Sequence, residues 1–234
     1  LAGNEAEAKR IHDAVKNSGI HLQMAFPCPY SPAFERVVAR VKAGDIGEIV
    51  AINTTNRGTC PFGWFVEPEL SGGGAMIDHT VHVSDLLRRL LGTNPVKVSA
   101  SIGSNMYGKE WDDTAMLTLD YPGGIFATLD SSWSRPQGFV TWGDVTLTVV
   151  GTRGVLEADL FLPHVDVYKD GKHSWAGFGT NLDLLMVSDF IHAITREHTP
   201  RTSLEDGLAA SAVAVAAYQS VKAQQPVQVS RSSV

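Results

Sequence analysis

The sequence predicts an α+β fold, in which a large, mostly antiparallel open β-sheet carries helices packed on one face. Two observations indicate this class: seven stretches between residues 48 and 169 alternate apolar and polar residues with period two, and helical periodicity is found mainly towards the ends of the chain. The turns Tyr121-Pro-Gly-Gly124 and Gly151-Thr-Arg-Gly154 are too short to hold crossover helices. We therefore expect the strands to pair antiparallel as a meander.

The period-two stretches define the predicted strands, which are residues 48–57, 96–107, 114–121, 125–133, 145–150, 155–160 and 164–169. A short apolar run at 20–26, ending before Pro27, predicts one further strand nearer the start of the chain.

Five segments have the spacing or the terminal signals of helices. The first is 4–16, with a stop at Gly19, and the second begins with Ser31 as cap and Pro32 in the first turn. A third follows the triple glycine 72–74 and buries the stripe Val83, Leu86, Leu87, Leu90 and Leu91. The fourth carries Leu184, Val187, Ile191 and Ile194 on one face. The last starts at a capping-box-like pair, Ser203 and Asp206, and ends near Lys222.

Helices on one face of a sheet leave the other face to solvent or to a second subunit. Tyr107, Trp133 and Trp142 favour the second alternative, because large aromatic side chains are unusual on a solvated sheet. We therefore expect a homo-oligomer formed through the open sheet face. The five tryptophans are expected to belong to core or interface rather than to a sugar-binding platform: Trp64, Trp111, Trp133, Trp142 and Trp175.

Composition excludes several classes of protein. The 234 residues have a net charge of -6 without a basic cluster, which argues against a nucleic-acid partner. Cys28 and Cys60 stand alone, so neither a disulfide framework nor a zinc ribbon is indicated. No apolar run reaches the roughly 18 residues of a spanning helix, and no membrane partner is expected. These features predict a cytoplasmic protein.

The segment from Ser71 to Gly92 is the most informative for chemistry. On a helix, Asp78, His82 and Asp85 share one side at i, i+4 and i+7. A histidine held between carboxylates stays strongly basic and can take a hydroxyl proton during alcohol oxidation, while Asp78 orients it or binds a substrate hydroxyl. Gly73 and Gly74 would allow a ligand to approach the backbone closely. Two alternatives remain open: an ordinary solvated helix, and a metal site built from Asp78, His79 and His82.

This segment resembles the hallmark of the glucose–fructose oxidoreductase / inositol dehydrogenase (Gfo/Idh/MocA) family, a glycine-rich lead into D-x-x-x-H-x-x-D. The segment Ala39-Arg-Val-Lys-Ala-Gly-Asp-Ile-Gly-Glu-Ile49 is similar to the family's helix that ends in G-x-I-G. The resemblance implies that His82 is the catalytic acid/base and Asp78 its substrate-binding companion. The further substrate-binding residues that we predict are His79, Asp85, Tyr30, Gly73 and Gly74. Pro29 stands where many relatives carry arginine, which puts a substrate contact there in doubt.

The family also implies an intact NAD- or NADP-dependent oxidoreductase that acts on a sugar, inositol or related polyol. No G-x-G-x-x-G follows any predicted strand, so we expect no cofactor bound to this chain alone. Leu1-Ala2 resembles the residues that follow the family's E-K-P turn, which bears a catalytic lysine. We therefore expect 1–28 to be the end of a dinucleotide-binding domain, 29–234 to be the substrate-binding and oligomerisation domain, and the chain alone to be inactive. The alternative is a non-catalytic sheet scaffold or carbohydrate-binding module.

Overall fold

The computed structural model describes residues 1–139, 141–161, 164–177, 179–196 and 198–230. Its helices are α1 (Glu5–Ser18), α2 (Pro32–Lys42), α3 (Pro68–Ser71), α4 (Ala75–Leu91), α5 (Leu182–Arg196) and α6 (Leu204–Ala223). Its strands are β1 (Ile49–Gly58), β2 (Lys97–Gly103), β3 (Thr114–Asp120), β4 (Phe126–Ser132), β5 (Gly143–Gly151), β6 (Val155–Asp159), β7 (His164–Lys169), β8 (Lys172–Gly177) and β9 (Val227–Gln228). Short 3-10 turns occupy Cys28–Tyr30, Gly63–Val66 and Pro122–Gly124.

Seven strands form one sheet in the order β6-β5-β1-β4-β3-β2-β9, while β7 and β8 form a separate hairpin. All pairs in the large sheet are antiparallel except β1 with β4, which run parallel with Ala51 opposite Phe126 and Arg57 opposite Ser132. The α+β class and the mostly antiparallel sheet are thus confirmed. The continuous meander is wrong, because β1 inserts between β4 and β5 instead of pairing with its neighbour in sequence.

The predicted strand at 20–26 is also corrected. The segment has no strand assignment, and its backbone link to the rest of the chain is the bond from the Met24 amide to the Thr202 carbonyl, 2.8 Å. An apolar run becomes a strand only if a neighbouring strand supplies the ladder of hydrogen bonds. Here the run lies against the loop before α6, which offers a single residue for pairing.

One face of the sheet is covered by helices and holds the core. Leu117, Leu119 and Leu129 are buried there against the apolar side of α4, and α6 covers β2. This agrees with the prediction of helices on one face. The burial of these branched side chains is the main contribution to the stability of the domain.

The opposite face is polar and open. Asn53 donates to Thr128 Oγ1 (2.7 Å), Thr55 to Asp144 Oδ1 (2.9 Å), and Arg57 Nε to the same oxygen (3.0 Å). Exposed apolar side chains interrupt this network at Met116 and Phe126, which are 59% and 47% exposed. These hydrogen bonds pair polar side chains of neighbouring strands with one another across this face of the sheet.

The three aromatic residues from which we argued a covered sheet face lie elsewhere. Trp133 is fully buried in a small cluster with Cys60 and Ala75 at one end of the sheet, and Tyr107 packs against that cluster. Trp142 is 53% exposed just before β5. Register alone could not reveal this, because all three residues lie outside the strands, where alternation no longer determines the face.

The apolar stripe predicted for the fourth helix exists on α5, but it faces outwards. Leu184, Val187, Ile191 and Ile194 are between 48% and 62% exposed. No helix among the described residues is long and apolar enough to cross a membrane.

Candidate functional site

Helix α4 carries the site because one of its sides packs in the core and another side lines a cavity. Val83, Leu86 and Leu87 are completely buried in the core, as their helical spacing predicts. This fixes the rotation of the helix about its axis. Asp78 and His82, one turn apart on another side, consequently line the same cavity.

The start of α4 is held by a buried carboxylate. Asp112 accepts hydrogen bonds from the Gly74 amide (3.1 Å), the Met76 amide (2.7 Å) and the Tyr218 hydroxyl (2.8 Å). A carboxylate here satisfies amides that no helical carbonyl can reach and opposes the positive end of the helix dipole. Asp112 therefore fixes the position of the first turn of α4, which leads to Asp78.

Gly73 and Gly74 are needed for this arrangement. A Cβ at Gly73 would collide with the Tyr218 hydroxyl, and one at Gly74 with the carbonyl oxygen of Asp112. The close approach that we predicted for a ligand is thus occupied by the protein's own groups. Gly74 does border the cavity, where its neighbours Gly72 and Ile77 also lie.

The cavity is open and has a volume of about 1370 Å³. Its walls are α1, the segment 24–26, the turn at Gly63–Val66 with α3, and the first two turns of α4. Trp64 lies in this wall and is 54% exposed, so one tryptophan that we expected in core or interface faces the cavity. The side chain of Trp175 lies outside the described part of the chain.

The Asp78 carboxylate is anchored from behind and reachable from the cavity. Its Oδ2 accepts a hydrogen bond from the Trp133 indole (2.9 Å) and lies 3.2 Å from Nε2 of His79, while 17% of the side chain is exposed. Burial raises the pKa of Asp78, but the contacts with His79 and Trp133 outweigh it and hold the pKa below its usual range. Asp78 is therefore ionised at neutral pH, with Oδ1 available to a ligand.

His79 is fully buried behind Asp78. Its Nδ1 lies 2.8 Å from the carbonyl oxygen of Asn56, and its ring makes an edge contact with Trp142 at 5.6 Å between centroids. We predicted substrate contact for this residue. The structure instead places its ring away from the cavity, in contact with the carboxylate that lines it.

His82 borders the cavity and packs edge-on against Phe26, with ring centroids 5.2 Å apart. Its Nδ1 is buried without a hydrogen-bond partner among the described residues. Burial lowers the pKa of His82 to about 4. Attraction to Asp78 opposes this shift, and repulsion from His79 adds to it. The expectation of a strongly basic histidine is therefore wrong for this structure, because loss of hydration exceeds the attraction of one carboxylate.

This lowered pKa predicts a pH-dependent stability. Since the unfolded chain binds a proton at His82 below the ordinary pKa of 6.5 and the folded chain only near 4, acid between these values favours unfolding. We expect the free energy of unfolding to fall by up to about 3 kcal/mol over this window through His82 alone. Urea titrations from about pH 7 to about pH 5 should show a steeper loss in the native chain than in His82→Gln. Equal slopes in the two proteins would contradict the assignment.

Asp85 and Tyr30, which we also predicted to bind substrate, do not line the cavity. Asp85 is buried and accepts a hydrogen bond from Arg89 (2.9 Å), which also donates to Asp206 at the start of α6 (2.8 Å). Burial raises the pKa of Asp85. These contacts join α4 to α6, so the third residue of the predicted polar stripe serves the packing of the two helices.

Tyr30 is buried beneath the guanidinium of Arg201 and donates to Asp189 (2.7 Å). Its pKa is raised by burial and by the Asp189 hydrogen bond. Arg201 also donates to the Pro29 carbonyl (3.0 Å).

Sequence reasoning missed Trp133, Asn56 and Asp112 as parts of the site. Each comes from a strand or a loop far from α4 in sequence, and none stands in a motif. One signal could have found Asn56: the alternation of β1 places this polar residue on the same face as Ile52, where it requires a partner. Among the described residues no group of three or more His, Cys, Asp or Glu is arranged to hold a metal ion.

Known proteins are similar to this chain in sequence and in fold. The chain is 28% identical over 230 residues to the uncharacterised oxidoreductase YrbE of Bacillus subtilis, covering 92% of this chain and 65% of that protein. It is 28% identical over 154 residues to the scyllo-inositol 2-dehydrogenase (NAD(+)) of Bacillus subtilis, covering 63% of this chain and 43% of that protein. The chain thus spans less than two thirds of either relative.

The structure of GenD2 from gentamicin A biosynthesis in complex with NAD superimposes with a TM-score of 0.86 over 97% of this chain and 68% of that one. At 21% identity this shows a shared fold. The family model of the GFO/IDH/MocA C-terminal domain matches residues 34–157, more than half of the chain. Strands β1 to β5, helix α4 and most of the residues that surround Asp78 lie within that match, and the chain belongs to the Gfo/Idh/MocA family of oxidoreductases.

Proposed function

We propose that this chain is the substrate-binding part of an NAD(P)-dependent oxidoreductase that oxidises a CH–OH group of a sugar, inositol or related polyol. The observation that carries the proposal is the pair Asp78 and His82, which border one open cavity from the same helix. Membership of the family and the names of relatives such as scyllo-inositol 2-dehydrogenase support the substrate class.

The two side chains suit the two requirements of alcohol oxidation. The hydroxyl proton needs an acceptor, and the neutral imidazole of His82 can take it. The hydroxyl also needs an orienting acceptor, and the ionised Asp78 offers its free Oδ1. The imidazolium formed on His82 is stabilised by the charge of Asp78, and its low pKa makes it a strong proton donor in the reverse reduction.

The described residues do not fit the pyrophosphate of a dinucleotide. Such a site needs a glycine-rich turn between a parallel strand and a helix N-terminus. The described parallel strands, β1 and β4, lead into Thr59-Cys60 and Trp133-Ser134 instead. We assign no cofactor contact to this chain, and propose that the nicotinamide that accepts the hydride is held by a separate domain of the full-length protein.

The length of the relatives supports this division, since the chain covers only 65% of the Bacillus subtilis oxidoreductase. We propose that residues 1–28 close the dinucleotide-binding domain and that 29–234 form the substrate domain. The experiment is to purify the full-length protein containing this chain and follow nicotinamide reduction with a panel of inositols and aldoses. Turnover of a polyol is expected; reduction with none of them, by a folded protein that binds NAD or NADP, would contradict the proposal.

We also propose that the open sheet face joins two copies of the chain. Exposed Met116 and Phe126 offer apolar contacts among polar rows, which is the composition expected of an interface rim and core. Replacing Met116 by glutamate is expected to convert the oligomer to a monomer in light scattering, while circular dichroism shows that the variant is still folded, since the side chain is exposed within the single chain. Val165→Glu, on the separate β7–β8 hairpin, is the matched control. A native protein that is already monomeric would refute the proposal.

A further inference from the structure

His79 has its hydrogen-bonding state fixed by its neighbours. The ring is completely buried, and Nδ1 lies 2.8 Å from the carbonyl oxygen of Asn56. A carbonyl oxygen can only accept a hydrogen bond, so Nδ1 must carry a proton. The neutral tautomer that this leaves would have a bare lone pair on Nε2.

That lone pair would have an anion beside it. Nε2 lies 3.2 Å from Oδ2 of Asp78, although the approach lacks the alignment of a hydrogen bond, and no described residue donates a hydrogen bond to Nε2. A bare nitrogen beside an ionised carboxylate is repelled, whereas a proton on this buried nitrogen forms an ion pair with the carboxylate. The buried pair has no net charge only if this proton is present.

The ring has little freedom to find another partner. A Cβ at Gly58 would lie 3.1 Å from Cε1 of His79 and 3.2 Å from the indole of Trp142. The backbone of β1 and the Trp142 ring are therefore packed closely against the imidazole. The Asn56 amide donates to the backbone carbonyl of His79 at 3.1 Å and ties the same residue to β1. Packing therefore keeps Nε2 directed towards Asp78.

We propose that His79 carries a proton on both ring nitrogens and acts with Trp133 as a positioning residue that holds Asp78 as an ionised, oriented acceptor at the cavity wall. The inference rests on the proposed function for its meaning, since Asp78 is the proposed substrate ligand. A cation behind Asp78 also disfavours a second cation on the same helix, and this repulsion adds to the burial that keeps His82 neutral.

The test is nitrogen-15 NMR of the imidazole rings in the 234-residue chain at about pH 7.5, by long-range correlation to the ring carbon protons. A doubly protonated ring gives two similar nitrogen shifts, while a neutral ring gives one protonated and one bare nitrogen. His79 is expected to show the first pattern. His82, whose pKa is about 4, is the internal control and is expected to show the second.

Asp78→Asn removes the charge while keeping the size of the side chain. In this variant the second proton of His79 is expected to be lost, and a circular-dichroism melt checks that the domain is folded. A bare nitrogen on His79 in the native chain, or two protonated nitrogens that persist in a folded Asp78→Asn, would overturn the inference. If that variant does not fold, the native spectrum alone decides. No readout depends on dehydrogenase activity, so failure of the proposed function leaves this test unaffected.

Discussion

Replacing His82 by alanine in the full-length protein that we propose to be an oxidoreductase is expected to lower kcat by about 10²–10⁴-fold, the usual contribution of a positioned acid/base. The ring borders the cavity, its Nδ1 has no partner among the described residues, and at neutral pH it is unprotonated and able to accept a proton. KM for the polyol should change much less, because Asp78 still offers its carboxylate. Steady-state kinetics with a saturating nicotinamide cofactor measures both parameters.

His82→Gln is the companion variant, since it retains polar bulk beside Phe26 but cannot take the proton. It should lose as much kcat as the alanine variant. His192→Ala, on the exposed surface of α5, is the control and should leave kcat unchanged. A fall of less than about threefold in either His82 variant would exclude the acid/base role.

Replacing Asp112 by alanine is expected to destabilise the chain by about 2–4 kcal/mol, because two backbone amides and the Tyr218 hydroxyl lose their common acceptor in a buried site. For a domain of this length the unfolding temperature should fall by roughly 5–15 °C. Differential scanning calorimetry measures the shift. The start of α4 would then lose its anchor, so Asp78 would also lose its defined position.

Asp112→Asn retains one oxygen acceptor and should lose less than the alanine variant. Asp45→Ala, which removes an exposed ion pair with Arg40, is the surface control and should change stability by less than about 1 kcal/mol. If Asp112→Ala melts with the native chain, the amides at the start of α4 do not depend on this carboxylate.

Local patterns in the sequence were enough to predict most elements. The starts of α1 and α2 follow from Asn4, which caps the first helix, and from Pro32 in the first turn of the second. The stripe Val83, Leu86 and Leu87 was sufficient to orient α4, and this orientation brings Asp78 and His82 to one cavity. These results depend on periodicity within one element, which a sequence displays directly.

The errors concern relations between elements. The parallel pairing of β1 with β4 joins strands about 75 residues apart in sequence, and the run at 20–26 lacks a neighbouring strand, so neither could be read from local alternation. The exposed stripe of α5 shows the same limit, because periodicity identifies an apolar face but not what covers it.

The sequence by itself determined the class of fold, the helix that carries Asp78 and His82, and the family to which those residues belong. Tertiary structure alone decided their electrostatics. A histidine between two carboxylates in sequence became a neutral base, because burial lowers its pKa more than Asp78 raises it. Asp85, the second carboxylate, accepts a hydrogen bond from Arg89 instead. Burial and partners set a pKa, and both depend on residues brought from distant strands and loops.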